Sequence, residues 1–503
     1  MTHGRRSRDP RWLLPALVAA GLVVSGSTAL KDIQPNDEGL MLRAAARIAG
    51  GEVPYRDFWW FYPPGQPYLL ALLQDVFGPS LVVWRVLRVA TDATVAALAY
   101  ALARRRAGRG PALAAWLVAI CAMAWPSGPH PFPVALACAL GALLALESRP
   151  AVAGVLAGLC AAWRIEFAAF LVAGAAAGLA DRRVLRLLAG AAVTALALYV
   201  PVVAAAGVRP AWSLLVDYPL TDFRDYQALP FPLRYDGPLN TSSVRGFAAD
   251  SLEPLLLFHL PLVLVAGLAA GLVSLRDRRP LTVATAALAV GMLGYLLVRT
   301  DAFHTAPLAV LAAILAAWAL GGPRTGWRVV PVAVCATALV YAAVEGLDRR
   351  ALVLREATVP LDLPVADGVR APAREAAELA AAVRAVRRAV PPGRPVYVTG
   401  RRADLVTSGH PLFNVLAQRP NPSRYDIAAP GVVTSAPVQR EIVAALERTR
   451  TPVVVRWTAR VTAAREPNAA GRSSGVRLLD AYLARRYAPA GRFGAFVLLR
   501  RRP

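Results

Sequence analysis

The chain has 503 residues, 56% of them hydrophobic, and a mean hydropathy of +0.46. A soluble globular chain is roughly half apolar or less, so this composition points to a polytopic membrane protein. The net charge of +24 comes almost wholly from arginine, Lys31 being the only lysine; basic residues at membrane ends account for it, and without a nucleic-acid motif no nucleic-acid partner is expected.

Taken in chain order, Arg5, Arg6, Arg8 and Arg11 precede the first apolar run. With many later spans, that pattern favours a retained anchor over a cleaved signal peptide. Crossing about 30 Å of hydrocarbon takes roughly 20 helical residues. Runs of that kind lie at 12–30, 80–103, 111–126, 131–147, 151–164, 165–180, 184–206, 253–275, 280–298, 305–321 and 328–346. The fifth and sixth are short and barely separated, so they read as broken helices or an interfacial pair. The four cysteines, Cys121, Cys138, Cys160 and Cys335, all fall inside these runs without metal-ligand spacing, which argues against a zinc site or a disulfide framework.

Arginine placement orients the spans, because short cytoplasmic loops are enriched in positive charge. Arg104-Arg105-Arg106, Arg149, Arg182-Arg183, Arg276 to Arg279, and Arg324 with Arg328 alternate with segments poor in arginine. The expected fold is therefore an α-helical polytopic membrane protein of about 11 transmembrane helices in the cell (inner) membrane, N-terminus cytoplasmic. Residues 1–346 form its membrane domain, and the 31–79 and 207–252 loops face outward. Residues 347–503 are expected as a C-terminal extracytoplasmic α/β domain. Its helices are expected at 372–390, 439–448 and 478–486, and its strands at 396–398, 453–457 and 493–499.

The 31–79 loop carries the densest chemistry. Asn36 can cap a helix, with Asp37 and Glu38 in its first turn and Gly50-Gly51 ending it. Residues 37–49 then lie on the outer membrane surface, and a second helix runs from Pro63-Pro64 to about Phe77. Trp59, Trp60, Phe61, Tyr62 and Tyr68 suit the headgroup zone. Two readings stand side by side: acids that complement a helix dipole beside anchoring rings, or a catalytic loop. Ionisable residues recur near membrane depth, as Arg85, Arg88 and Asp92, then Arg164 and Glu166, then Arg299, Asp301 and His304. Such residues tend to mark sites, although an Arg88–Asp92 pair with Arg85 snorkelling is the plain alternative. His130, His259 and His410 read as structural.

The string Asp37-Glu38, then Gly50-Gly51-Glu52-Val53-Pro54-Tyr55-Arg56-Asp57-Phe58, then Tyr62-Pro63-Pro64-Gly65, and on through Phe77-Gly78-Pro79-Ser80 to Arg85, resembles the multi-pass GT-C glycosyltransferases. The likeness is to the bacterial protein O-mannosyltransferase and aminoarabinose-transferase superfamily. The resemblance implies an enzyme that moves a sugar from a polyprenyl-phosphate or diphosphate donor to an acceptor hydroxyl of a glycan, lipid or protein on the outer face. It places the catalytic acid role on Asp37, beside Glu38. A carboxylate within reach of the acceptor hydroxyl takes its proton in an inverting single displacement. Arg85, Arg88, Arg164 and Arg299 become donor-phosphate residues, while Asp57, Tyr62, Glu166, Asp301 and His304 become substrate-binding residues. No cofactor is required, but a divalent cation between Asp37 and Glu38 stays open. Two rivals remain, a transporter or flippase of lipid-linked sugars and a membrane-anchored envelope-assembly protein without catalysis. Against the former, the acids lie in an outer loop and no internal repeat is visible.

Overall fold

The structure is a computed structural model that describes residues 9–123, 128, 130–179, 181–229, 231, 239–251, 255, 279–321 and 329–503. The span expected over 253–275, with His259, lies outside them but for Leu255.

The apolar half consists of α1 (Leu13–Gly26), α4 (Leu81–Arg104), α5 (Arg109–Ala122), α6 (Phe132–Ala145), α7 (Pro150–Trp163), α8 (Ile165–Leu179), α9 (Arg183–Ala206), α10 (Pro280–Val298), α11 (Ala302–Leu320) and α12 (Val329–Arg355). Of these, α4, α9, α10 and the Phe303–Leu320 part of α11 are long and apolar enough to cross a membrane, and α1 and α5 to α8 are shorter apolar helices. Small residues set their spacing. A Cβ on Gly154 of α7 would stand 2.1 Å from the Leu187 carbonyl oxygen of α9, so those backbones touch directly. Close packing of this kind holds helices together where burial from water gives no drive. The short gap read at 164 is real. Arg164 leaves the helix in an extended conformation (φ −148°, ψ 104°) between α7 and α8.

The second half combines the 31–79 segment with the tail. The segment supplies α2 (Asp37–Ala49) and α3 (Gly65–Phe77). The tail supplies the β1–β2 ribbon (Thr358–Pro360, Arg370–Pro372), α13 (Ala373–Ala389), β3 (Val396–Thr399), α14 (Leu412–Ala417), α15 (Ala436–Arg448), β4 (Val453–Trp457), α16 (Leu478–Arg486), β5 (Tyr487–Phe493) and β6 (Phe496–Arg501). The sheet runs β3-β4-β6-β5, parallel between β3 and β4 and antiparallel elsewhere. The strand expected at 493–499 is the turn and second arm of a hairpin, whose first arm breaks the alternation with Pro489 and Gly491 at a register shift.

One expectation is corrected here. α2 does not lie on a membrane surface. It is buried from Glu38 to Ala45 and packs between α3 and α14. Gly39 makes this possible, because a Cβ there would fall 1.9 Å from the Leu412 backbone nitrogen. On the same helix Arg43 and Arg47 reach Asp426 of the tail at 3.4 and 2.5 Å. The aromatic patch also turns inward. Phe58 and Trp60 are fully buried, and Trp59 and Phe61 pack edge-on against Tyr218 at 4.9 and 5.3 Å. Rings that suit a headgroup layer thus seal the loop against residues 207–227. One apolar core joins α2 and α3 to the tail.

Candidate active site

A cavity of about 330 Å³ lies between the two halves. Several chain segments build its polar wall. The first turn of α2 brings Asp37, oriented by a 3.1 Å hydrogen bond from the Asn36 amide. Asn36 is itself tied to the tail, its Oδ1 accepting from the Gly409 backbone nitrogen at 3.4 Å. The break between α7 and α8 brings Arg164, and the junction of α10 and α11 brings Arg299, Asp301 and His304. The tail adds Thr407, Ser408 and Glu466, and Tyr62, Phe223 and Phe303 supply rings.

Asp37 is an accessible carboxylate in an enclosed setting. Enclosure by protein raises its carboxyl above the ordinary value, while the Asn36 hydrogen bond and the Arg299 charge pull it down without cancelling that effect. Its side chain nevertheless keeps 44% of its surface open, so the carboxylate is poorly solvated yet reachable. His130 Nε2 lies 3.7 Å from Asp37 Oδ2. Burial, with the nearby charges of Arg88, His304 and Arg164, pushes His130 well below its ordinary value. The imidazole is therefore neutral beside the carboxylate, and the contact is not an ion pair.

Arg164 is a stacked cation on the cavity wall. Its guanidinium stacks over Tyr295 at 4.6 Å and Tyr62 at 5.7 Å, and Nη2 donates to the Tyr295 hydroxyl at 3.1 Å. Its Nε is buried with no hydrogen-bond partner among the described residues. A buried, unsatisfied donor on a stacked cation is costly unless a ligand completes it. Beside it, Tyr62 has its phenol pushed up to about 12 by burial and by Asp37. Asp301 caps α11 by accepting from the His304 backbone nitrogen at 2.9 Å, and it holds His304 Nδ1 at 2.7 Å. Burial alone would raise the Asp301 carboxyl, but the His304 contacts and Arg299 outweigh it and hold the group below the ordinary range.

Other expected site residues stand elsewhere. Glu38 is fully buried with both oxygens on Arg85, at 2.8 and 2.9 Å. Arg85 spends its remaining donors on the carbonyls of Ala29 and Asp32. Neither lines the cavity. The reason is helical geometry, since adjacent residues point about 100° apart. A divalent cation shared by Asp37 and Glu38 therefore does not fit. Arg88 is paired with Asp92 at 2.7 Å, and Ser25 donates to the same carboxylate at 2.8 Å. That is the plain alternative for this pair, although Arg85 is sequestered by Glu38 instead of snorkelling. Asp57 pairs with Arg56 at 2.8 Å and caps Val53, lining a separate groove between the outer segment and the tail. Glu166 makes a 3.4 Å contact with Arg164 but does not line the cavity.

No protein-family profile matches the chain, and no curated protein matches it. Solved structures do. ArnT from Cupriavidus metallidurans, an aminoarabinose transferase solved with undecaprenyl phosphate, is 14% identical, each chain covering 98% of the other, with a TM-score of 0.55. Its apo form gives 15% identity, 97% coverage of both chains and a TM-score of 0.56. The archaeal oligosaccharyltransferase AglB from Archaeoglobus fulgidus, solved with an inhibitory peptide and a dolichol-phosphate, is 13% identical over 89% of this chain and 69% of its own, with a TM-score of 0.51. The chain has the GT-C fold. At these identities the likeness carries the fold alone, and the chemistry has to come from the cavity.

Within this fold the cavity gains residues that sequence reading missed. Glu466, Thr407 and Ser408 come from the tail, where no motif flagged them. His130, read as structural, faces Asp37. Its one signal was its place in the sequence, between the apolar runs 111–126 and 131–147. Gln34 and Gln227 line the wall as neutral amides and gave no signal.

Proposed function

We propose that this chain is a membrane glycosyltransferase that moves a sugar from a polyprenyl-phosphate or diphosphate donor to an acceptor hydroxyl of a glycan, lipid or protein on the outer face. The observation that supports this most is one cavity holding a reachable carboxylate of raised pKa, Asp37, together with the stacked, incompletely partnered cation Arg164. The solved proteins of like fold were captured with undecaprenyl phosphate and dolichol-phosphate, which agrees with such a donor.

In this mechanism the donor's phosphate lies against Arg164, with Arg299 also on the cavity wall. Asp37 accepts the acceptor hydroxyl's proton as that oxygen bonds to the anomeric carbon. The bond from that carbon to the phosphate oxygen breaks with its electron pair, and the lipid phosphate or diphosphate leaves as the anion that Arg164 stabilises. A single displacement inverts the anomeric centre. Tyr62, Asp301 and His304 line the space for the sugar and acceptor, with His130 beside the base. The reading keeps the arginine-derived topology, with about eleven spans, a cytoplasmic N-terminus in the cell membrane, and an outward α/β tail over residues 347–503.

The test supplies purified protein in liposomes with a labelled polyprenyl-phosphate-linked sugar and an envelope extract as acceptor. Label entering the acceptor in step with release of polyprenyl phosphate is expected. Label crossing the bilayer still attached to its lipid would mean transport and overturn the proposal.

A further inference from the structure

The mechanism above gives no chemical role to the acid that the tail delivers to the cavity wall. Glu466 Oε2 and Oε1 face Nη1 and Nη2 of Arg299 at 3.1 and 2.8 Å, a two-pronged pair. Arg299 Nε goes to Asp301 at 3.2 Å, and Nη1 also donates to the Gln227 carbonyl at 2.8 Å. The prongs held by Glu466 are those that two oxygens of a phosphate would take, since carboxylate and phosphate match a guanidinium fork in the same way.

The placement of Glu466 is built into its turn. The Asn468 amide donates to Glu466 Oε2 at 2.9 Å, and Asn468 Oδ1 accepts from the Ala470 backbone nitrogen at 2.7 Å. Gly471 closes the turn at φ +70°, where a Cβ would stand 2.4 Å from the Ala464 carbonyl oxygen. Thr407 Oγ1 holds that same carbonyl at 2.5 Å. The turn thus hangs at the cavity rim with one carboxylate aimed inward.

Charge balance shows what this does. With Glu466 in place, three carboxylates (Asp37, Asp301, Glu466) face two guanidiniums (Arg164, Arg299) among the described lining residues. That surplus opposes entry of an anionic lipid phosphate. Withdrawing Glu466 leaves two against two and frees the fork. The exchange is accessible because the Arg299 and Glu466 side chains keep 23% and 25% of their surface exposed, where solvent screens the pair.

We propose that Glu466 occupies part of the donor-phosphate subsite as an internal carboxylate, and that the donor's phosphate displaces it and releases the 464–471 turn. This rests on the donor reading given above. Glu466 then sets donor affinity and signals donor occupancy to the tail.

The test is binding of undecaprenyl phosphate in detergent to the full-length wild type and to the Glu466→Gln and Arg164→Ala variants. Hydrogen exchange of the 464–471 amides is followed in parallel. A neutral amide holds the fork less well, so Glu466→Gln is expected to bind about tenfold tighter. Wild-type 464–471 amides should exchange faster once the lipid is added. If Glu466→Gln binds no tighter, and the turn stays protected while Arg164→Ala still abolishes binding, Glu466 only steadies Arg299. The inference then fails while the donor reading stands. If no form binds the lipid, yet Glu466→Gln loosens the turn, the donor reading fails and carries the inference with it.

Discussion

Single residues in this cavity are tuned by their surroundings more than by their type. Asp37 and Glu38 are neighbours in sequence, yet one opens onto the cavity and the other is locked on Arg85. The raised Asp37 carboxyl makes a kinetic prediction. A base must be ionised, so the rate falls as pH drops through its raised pKa. The acid limb of kcat/KM should therefore lie above about pH 4, the ordinary carboxylate value. A limb at or below that value would show that another group limits the rate. Arg164 makes a second prediction. Its planar fork stacks on Tyr62 and Tyr295, which an ammonium cannot reproduce. Arg164→Lys should raise the donor KM by roughly tenfold or more, measured with the lipid-linked sugar varied at fixed acceptor.

At the scale of elements, the site depends on how α2 is seated. Its N-terminus carries Asp37, and its face meets α14 at Gly39 with no room for a methyl group. Alanine ordinarily favours a helix over glycine by about 1 kcal/mol. Gly39→Ala should instead lower the melting temperature, because overpacking against the Leu412 backbone costs about 1–3 kcal/mol. A rise in melting temperature would mean that α2 and α14 are not in contact. Many elements were legible from local pattern. The apolar runs of α4, α9 and α10, the Pro63-Pro64 start of α3, and the tail helix Leu478–Arg486 all follow from periodicity and breakers. What periodicity could not reveal was the partner. The amphipathic face of α2 suits a membrane surface as well as a protein, and Leu412 and Asp426, more than 370 residues away in the chain, show which it is. The Glu38–Arg85 pair was half visible. The 100° step between adjacent helical residues argues against a convergent acid pair, but nothing local names Arg85 as the partner.

The whole molecule ties distant chain segments together with ion pairs, and so its stability should respond to acid. Asp426 sits between Arg43 and Arg47, Asp301 beside His304 and Arg299, and Glu466 on Arg299. Burial alone would raise each carboxyl, yet the hydrogen bonds and arginine charges beside them outweigh it and hold all three below their ordinary range. A carboxyl depressed in the folded state adds stability that is present above its unfolded pKa and lost as pH falls through the folded one. Thermal stability should therefore hold above about pH 5 and decline steadily below about pH 4. An Asp426→Asn variant should show a shallower decline from a lower starting point, and an identical profile would remove Asp426 from the account. The cavity's composition was only partly legible at this scale. Asp37, Arg164, Arg299, Asp301 and His304 stood out as charges near apolar runs, whereas Glu466 lies in an Arg465-Glu466-Pro467-Asn468 turn like any solvated loop. Its meaning comes only from the fold that brings it to Arg299.

If Asp37 takes the acceptor's proton, removing its carboxylate slows transfer without weakening donor binding. Purified Asp37→Asn enzyme is given a labelled polyprenyl-linked sugar and acceptor in single-turnover conditions, with donor binding measured on the same preparation. The variant should bind donor about as well as the wild type while transfer slows by roughly 100-fold or more. Transfer near the wild-type rate, with donor bound, would contradict the account.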